Sequence, residues 1–212
     1  MKRILKQVLF TGILLHTLNG YNQTNTWKTE KTNDGKIVVK SNVSERVEAN
    51  GKSAPLIEYV ATTTDFMNLH NCVNIMKDVS RHKEFLDLKI NEKVKTFSEN
   101  EWLNYYVFNA PWPFPSSDCA VKVTYSEDLN AKTATYTLIA APDLMKATSM
   151  KRFTYYNFTY TFKDVGNGKV EATITAKMAL TASVPLWILR SSFPGSAAEP
   201  LQKLVKIIKN NN

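Results

Sequence analysis

Apolar and polar residues alternate with a period of two over most of the chain beyond residue 36. Ile37-Val38-Val39 follows the turn Asn33-Asp34-Gly35, and Asp-Gly between extended segments predicts a hairpin. Residues 56–64, rich in β-branched side chains, predict a third strand, so the chain opens with a three-stranded meander. The period then changes. Phe66, Leu69, Val73 and Met76 recur at three- and four-residue steps, which predicts a helix with Asp65 as its N-cap. Residues 79–85 extend that helix or form a short second one.

Alternation returns for six more strands. Leu86, Leu88 and Ile90 alternate with Asp87 and Lys89, and residues 102–108 form the next strand. Cys119, Val121, Val123 and Tyr125 define a third, and Ala134, Tyr136, Leu138 and Ala140 a fourth. Tyr156, Phe158, Tyr160 and Phe162 alternate with Asn157, Thr159 and Thr161. After the turn Gly166-Asn167-Gly168, Val170, Ala172, Ile174, Ala176 and Met178 alternate with polar residues. The C-terminus is helical again, with Leu186, Trp187 and Leu189 first and a stripe of Leu201, Leu204, Val205 and Ile208 later. Pro194-Gly195 between them predicts a kink or break. Three strands, a helix, six strands and a helix imply an α+β helix-grip fold. A curved antiparallel sheet of about nine strands wraps around the C-terminal helix, whose apolar stripe covers the concave face.

Charge alters this picture little. The net charge is +8, which favours acidic surfaces such as anionic head groups, but the lysines are scattered. Their tightest group, Lys203, Lys206 and Lys209, lies on the last helix. No nucleic-acid motif accompanies them, so no nucleic-acid partner is expected. Lys2, Arg3 and Lys6 precede a mostly apolar stretch at residues 8–18, shorter than the roughly twenty apolar residues that span a membrane. Residues 1–20 therefore read as a signal peptide, with an uncleaved N-terminal helix as the rival reading, and residues 21–212 as one domain. An exported chain, periplasmic or extracellular, follows from the first reading. Cys72 and Cys119 suit either a disulfide or buried free thiols. Asn22, Asn42 and Asn157 begin sequons, which matter only in a eukaryotic secretory pathway.

Enzyme chemistry finds little support. Glycine is scarce, with seven residues, which argues against a phosphate-cradling loop. Beyond His16 in the leader only His70 and His82 remain, and no Gly-x-Ser-x-Gly elbow exists. The cysteines and histidines lack zinc-ligand spacing, so no metal or cofactor is expected. Glu92, after Ile90 in the inward series, could be an inward carboxylate with a raised pKa, or could lie in solvent.

Two segments carry a family resemblance. Ala110-Pro111-Trp112-Pro113-Phe114-Pro115-Ser116-Ser117-Asp118 runs into a strand, and Ser183-Val184-Pro185-Leu186-Trp187-Ile188-Leu189 opens the final helix. With Trp27 and residues 78–85, they resemble the START family of steroidogenic-acute-regulatory-related lipid-transfer domains, over roughly residues 26–209. Departures are visible. The family usually has Arg where Ser117 stands and Trp where Phe85 stands. Its Asp-Pro-Gly-Gly-like segment is replaced by Thr181-Ala182-Ser183, and Pro194-Gly195 interrupts a helix that is normally continuous.

The resemblance implies a tunnel between sheet and final helix that holds a lipid, sterol-like or other apolar molecule for transport or sensing, without catalysis. It also implies transient membrane contact, with Trp112 and Phe114 at the entrance. The alternative is a cyclase or dehydratase on a related helix-grip fold, with Glu92 as its acid or base. The inward residues suit a guest. Ala134, Ala140, Ala172 and Ala176 are small enough to leave volume, and Tyr125, Tyr136, Tyr156 and Tyr160 give apolar walls with polar tips. The expected lining is completed by Glu92, Tyr106, Phe108, Leu138, Phe158, Ile174, Met178, Trp187, Leu201 and Leu204.

Overall fold

Each alternating segment has one apolar face to cover, and the segments satisfy this together by pairing into a single curved sheet. The computed structural model describes residues 27–48, 51–110 and 115–211. The strands are β1 (Lys28–Lys31), β2 (Val38–Val47), β3 (Ser53–Phe66), β4 (Leu88–Ser98) and β5 (Glu101–Phe108). They continue with β6 (Ser117–Asp128), β7 (Thr133–Ala140), the two-residue β8 (Lys151–Arg152), β9 (Tyr156–Gly166) and β10 (Lys169–Ala179). Their spatial order is β1-β2-β3-β10-β9-β7-β6-β5-β4, antiparallel throughout, with β8 added parallel to β6. The nine-strand helix-grip expectation therefore holds, and β1 and β4 remain as unjoined edges. The turn at Asn33-Asp34-Gly35 is stabilised by Asp34, whose carboxylate accepts from the Thr32 hydroxyl and the Lys36 N–H.

Helix α1 (Leu69–Lys77) leads into a 3₁₀ segment, Val79–Glu84. The N-cap of α1 is Asn68, not Asp65: the Asn68 side chain accepts from the His70 N–H at 2.8 Å. Strand β3 runs on to Phe66, which is paired with Lys169 of β10, so the chain is still extended at Asp65. That carboxylate instead takes the Lys209 ammonium at 3.0 Å. Phe66, read as the first residue of the helical stripe, ends the strand and is 59% exposed.

The C-terminal helix breaks where Pro194-Gly195 indicated. Helix α2 (Leu186–Ser191) is separate from α3 (Gly195–Lys209). Helix α3 turns Ala197, Ala198, Leu201, Leu204, Val205 and Ile208 onto the concave face. Residues 1–20, Trp112 and Phe114, for which a signal peptide and an entrance were expected, lie outside the described residues. No described helix is long and apolar enough to cross a membrane.

Candidate ligand-binding site

Register places the inward residues in rows across the strands. One row runs Tyr125, Tyr136, Tyr160, Ile174, Ala61 and Val39 through β6, β7, β9, β10, β3 and β2. The next runs Trp102, Val123, Leu138, Phe158, Ala176 and Tyr59 from β5 to β3. Alternation alone produces these rows, because an in-register antiparallel neighbour presents the same face.

Most of the expected lining comes together. Tyr106, Tyr125, Tyr136, Leu138, Tyr156, Phe158, Tyr160, Ala172, Ile174, Ala176, Leu201 and Leu204 are buried members of one cluster. Phe108 and Met178 are partly buried and pack against it. The aromatic wall is continuous: Tyr156 stacks on Phe158 with centroids 4.2 Å apart, and Phe108 meets Tyr156 at 5.7 Å.

Two expected lining residues do not join it. Glu92 is exposed on β4 and pairs with Tyr105 rather than with an inward residue. A register irregularity between Leu88 and Ile90 is the cause. Leu88 opposes inward Phe108, but beyond the irregularity it is Asn91 and Lys93 that oppose Tyr106 and Asn104. One extra residue in the strand exchanges the two faces, which simple alternation cannot foresee. Asn91 faces inward in place of Glu92 and donates to the Val79 carbonyl. Trp187 is 71% exposed. It belongs to the short helix α2, which lies against β2 through a hydrogen bond from Arg190 to the Val43 carbonyl at 3.0 Å. Six residues are too few to bury a second flank.

Several residues of the site were not singled out by sequence. His82, in the 3₁₀ segment, is buried beneath the fold. Its Nε2 lies 3.0 Å from the Met76 carbonyl and its Nδ1 lies 2.7 Å from the Tyr106 hydroxyl. A carbonyl only accepts, so Nε2 carries the proton, and Tyr106 must donate to Nδ1. The Tyr106 oxygen in turn accepts from Asn104 Nδ2 at 2.8 Å. Burial pushes the His82 imidazole down to about 4, and the Met76 carbonyl and Asp78 only partly offset it, so the ring is neutral at physiological pH. Burial likewise raises the Tyr106, Tyr156 and Tyr160 phenols above their ordinary value. The interior therefore presents uncharged polar groups. Trp102, Asn104 and Tyr106 alternate within residues 102–108, so the signal for an inward Asn104 was present in the strand pattern.

Four buried polar atoms have no protein partner among the described residues: Trp102 Nε1, Asn104 Oδ1, Tyr125 Oη and Tyr160 Oη. All four belong to the inward face of the sheet. Native interiors leave few such groups, and each one that remains calls for an explanation.

On the opposite face, Asp118 is fully buried and Arg152 of β8 reaches it at 2.7 Å. Thr148 and Tyr105 also donate to the carboxylate, at 2.8 and 3.2 Å. Burial pushes the carboxyl up, but these donors outweigh it and hold it below its ordinary value. Arg152 further donates to the Pro142 and Met145 carbonyls, pinning residues 142–152 over β6. Cys72 and Cys119 are buried free thiols, and burial raises both, Cys72 to about 12. Among the described residues no group of three or more His, Cys, Asp or Glu could hold a metal.

An incomplete antiparallel barrel, an aromatic and alanine-lined inner face and a gripping C-terminal helix define a START-like domain. Solved structures bear this out at the level of fold. A STAR-related lipid transfer protein fragment from Xanthomonas axonopodis superposes with a TM-score of 0.71 at 20% identity, covering 86% of this chain and 98% of that one. The human StarD13 lipid transfer and protein localization domain gives 0.67 at 17% identity, covering 87% and 89%. The ZhuI aromatase/cyclase from Streptomyces sp. R1128 gives 0.50 at 6% identity, covering 73% and 94%. No protein-family model and no curated protein matches the chain.

Proposed function

We propose that this protein binds a lipid, sterol-like or other apolar small molecule between the concave sheet and α3, and carries or senses it without converting it. The observation that carries this reading is the set of four polar atoms without a partner among the described residues, within a largely apolar and mostly buried wall. A guest with an apolar body and a few polar atoms matches such a wall, and burial supplies its affinity. Each buried methylene contributes about 0.8 kcal/mol, so ten supply roughly 8 kcal/mol before the guest's ordering is counted. The START-like neighbours, a STAR-related lipid transfer protein and a StarD13 lipid transfer domain, point the same way. Glu92, the candidate acid or base of the cyclase or dehydratase alternative, is exposed and faces outward, which favours binding over conversion. Transient membrane contact is supported by Trp187 and Ile188, both exposed on α2 beside the break before α3.

The test is stoichiometric binding of a fluorescent lipid, with native mass spectrometry of the protein from its own host. Ala176 is inward, between Phe158 and Tyr59 in the register, so Ala176→Trp fills the space a guest would take. Binding is expected to fall at least tenfold while the far-ultraviolet circular dichroism is retained. Wild-type binding in a folded Ala176→Trp protein would contradict the reading.

A further inference from the structure

The polar atoms on β5 specify more than an apolar guest. We propose that the site selects an uncharged alcohol, whose hydroxyl donates to Asn104 Oδ1 and accepts from the indole N–H of Trp102. This rests on the apolar-guest reading above and deepens it.

The orientation of Asn104 follows from the hydrogen-bond chain behind it. The Met76 carbonyl forces the proton onto His82 Nε2. His82 Nδ1 is then an acceptor and takes the Tyr106 proton. With its proton committed, the Tyr106 oxygen can only accept, so it must face Asn104 Nδ2. Asn104 Oδ1 is therefore the atom left over, and it is the one without a partner. Reversing the amide would set two acceptors against each other. Tyr106 and His82 thus act as positioning residues, holding an acceptor toward the guest. Trp102, two residues back on the same face of β5, is buried and offers an unpaired donor. Same-face neighbours on a strand lie about 7 Å apart at the backbone, a span that one bound hydroxyl and two long side chains can bridge.

One acceptor and one donor on successive inward positions of a strand are the complement of a hydroxyl. An ether or ketone has no proton for Asn104. A carboxylate has none either, and its oxygens would face the Asn104 acceptor. A cation beside this pair is Lys93, which opposes Asn104 in the register, is exposed, and lies with its Nζ 4.7 Å from the Trp102 ring centroid. An ammonium would need a carboxylate, and Glu92 faces outward.

The experiment measures dissociation constants of the full chain for matched probes: dodecanol, its methyl ether and dodecanoate, and cholesterol with its methyl ether. In at least one body shape the alcohol is expected to bind about tenfold or more tightly than its ether, since the ether leaves a buried acceptor unpaired. Asn104→Leu and Tyr106→Phe, each similar in volume to the residue replaced, are expected to bring the alcohol-to-ether ratio to within about twofold of unity. Affinity for the ether should rise in both variants, since neither holds a fixed unpaired acceptor against it, whereas general loosening of the core would weaken alcohol and ether alike. Equal affinity of the wild type for alcohol and ether overturns this inference and leaves the apolar-guest reading standing. Failure of both body shapes to bind at all overturns both. Dodecanoate binding more tightly than dodecanol would assign the site to an anion at Lys93 instead. A ratio unchanged in folded Asn104→Leu would overturn the assignment of the hydroxyl to Asn104, and one unchanged in folded Tyr106→Phe would overturn the positioning role of Tyr106.

Discussion

His82 should make this fold sensitive to mild acid. In the folded chain burial holds its imidazole at about 4, against an ordinary value near 6.5. Asp78 acts upward and Lys93 downward, both more weakly than burial. The unfolded chain therefore binds a proton that the folded chain refuses. For a base depressed in this way, stability is complete above about pH 6.5 and falls as the pH drops toward 4. Between about pH 7.5 and pH 4.5, at roughly 1.4 kcal/mol per unit, the loss comes to about 2.5 kcal/mol. Asp118 does not obscure this window. It is depressed as an acid, so its contribution is lost only below the ordinary carboxylate range. The assay is urea unfolding at a series of pH values for the wild type and for His82→Gln. Glutamine can still accept from Tyr106 and donate to Met76, but it cannot titrate. The wild type should lose about 2.5 kcal/mol across the window, and the difference between the two proteins should carry most of that loss. A wild-type stability that is level from pH 7.5 to 4.5, or a variant that follows it, would refute the reasoning.

Asp118→Asn should cost about 3 kcal/mol in thermal or urea unfolding, because Arg152, mostly buried, loses its counter-charge; a cost below about 1 kcal/mol would show the pair to be incidental. Cys72 and Cys119, buried with raised pKa values, should resist a thiol reagent in the native protein and both react after denaturation, and prompt native labelling would contradict their burial. Trp112→Ala should slow lipid exchange with anionic vesicles severalfold while equilibrium affinity for a soluble ligand stays within about twofold; exchange at the wild-type rate in a liposome transfer assay would exclude a docking role.

The alternating strands, the helix between the third and fourth of them, and the break at Pro194-Gly195 were all legible in the order of residues. Each depends on local rules: strand period, helix period and the missing proline donor. The inward Tyr136, Tyr160, Ile174 and Ala176 followed too, because every second residue of an uninterrupted strand shares one face. Three features depended on partners distant in the chain and became visible only in three dimensions. Whether β3 ended at Asp65 was decided by β10, which pairs with it as far as Phe66 and moves the helix cap to Asn68. The face of Glu92 was decided by one irregularity in the pairing of β4 with β5, which exchanges inward and outward side chains without leaving a mark in composition. The hydrogen-bond chain from Met76 through His82 and Tyr106 to Asn104 joins α1, the 3₁₀ segment and β5. The sequence shows a lone histidine and an ordinary asparagine there. Folding brings them within hydrogen-bond distance in a place closed to water, and burial then keeps the imidazole neutral and leaves one amide oxygen unpaired.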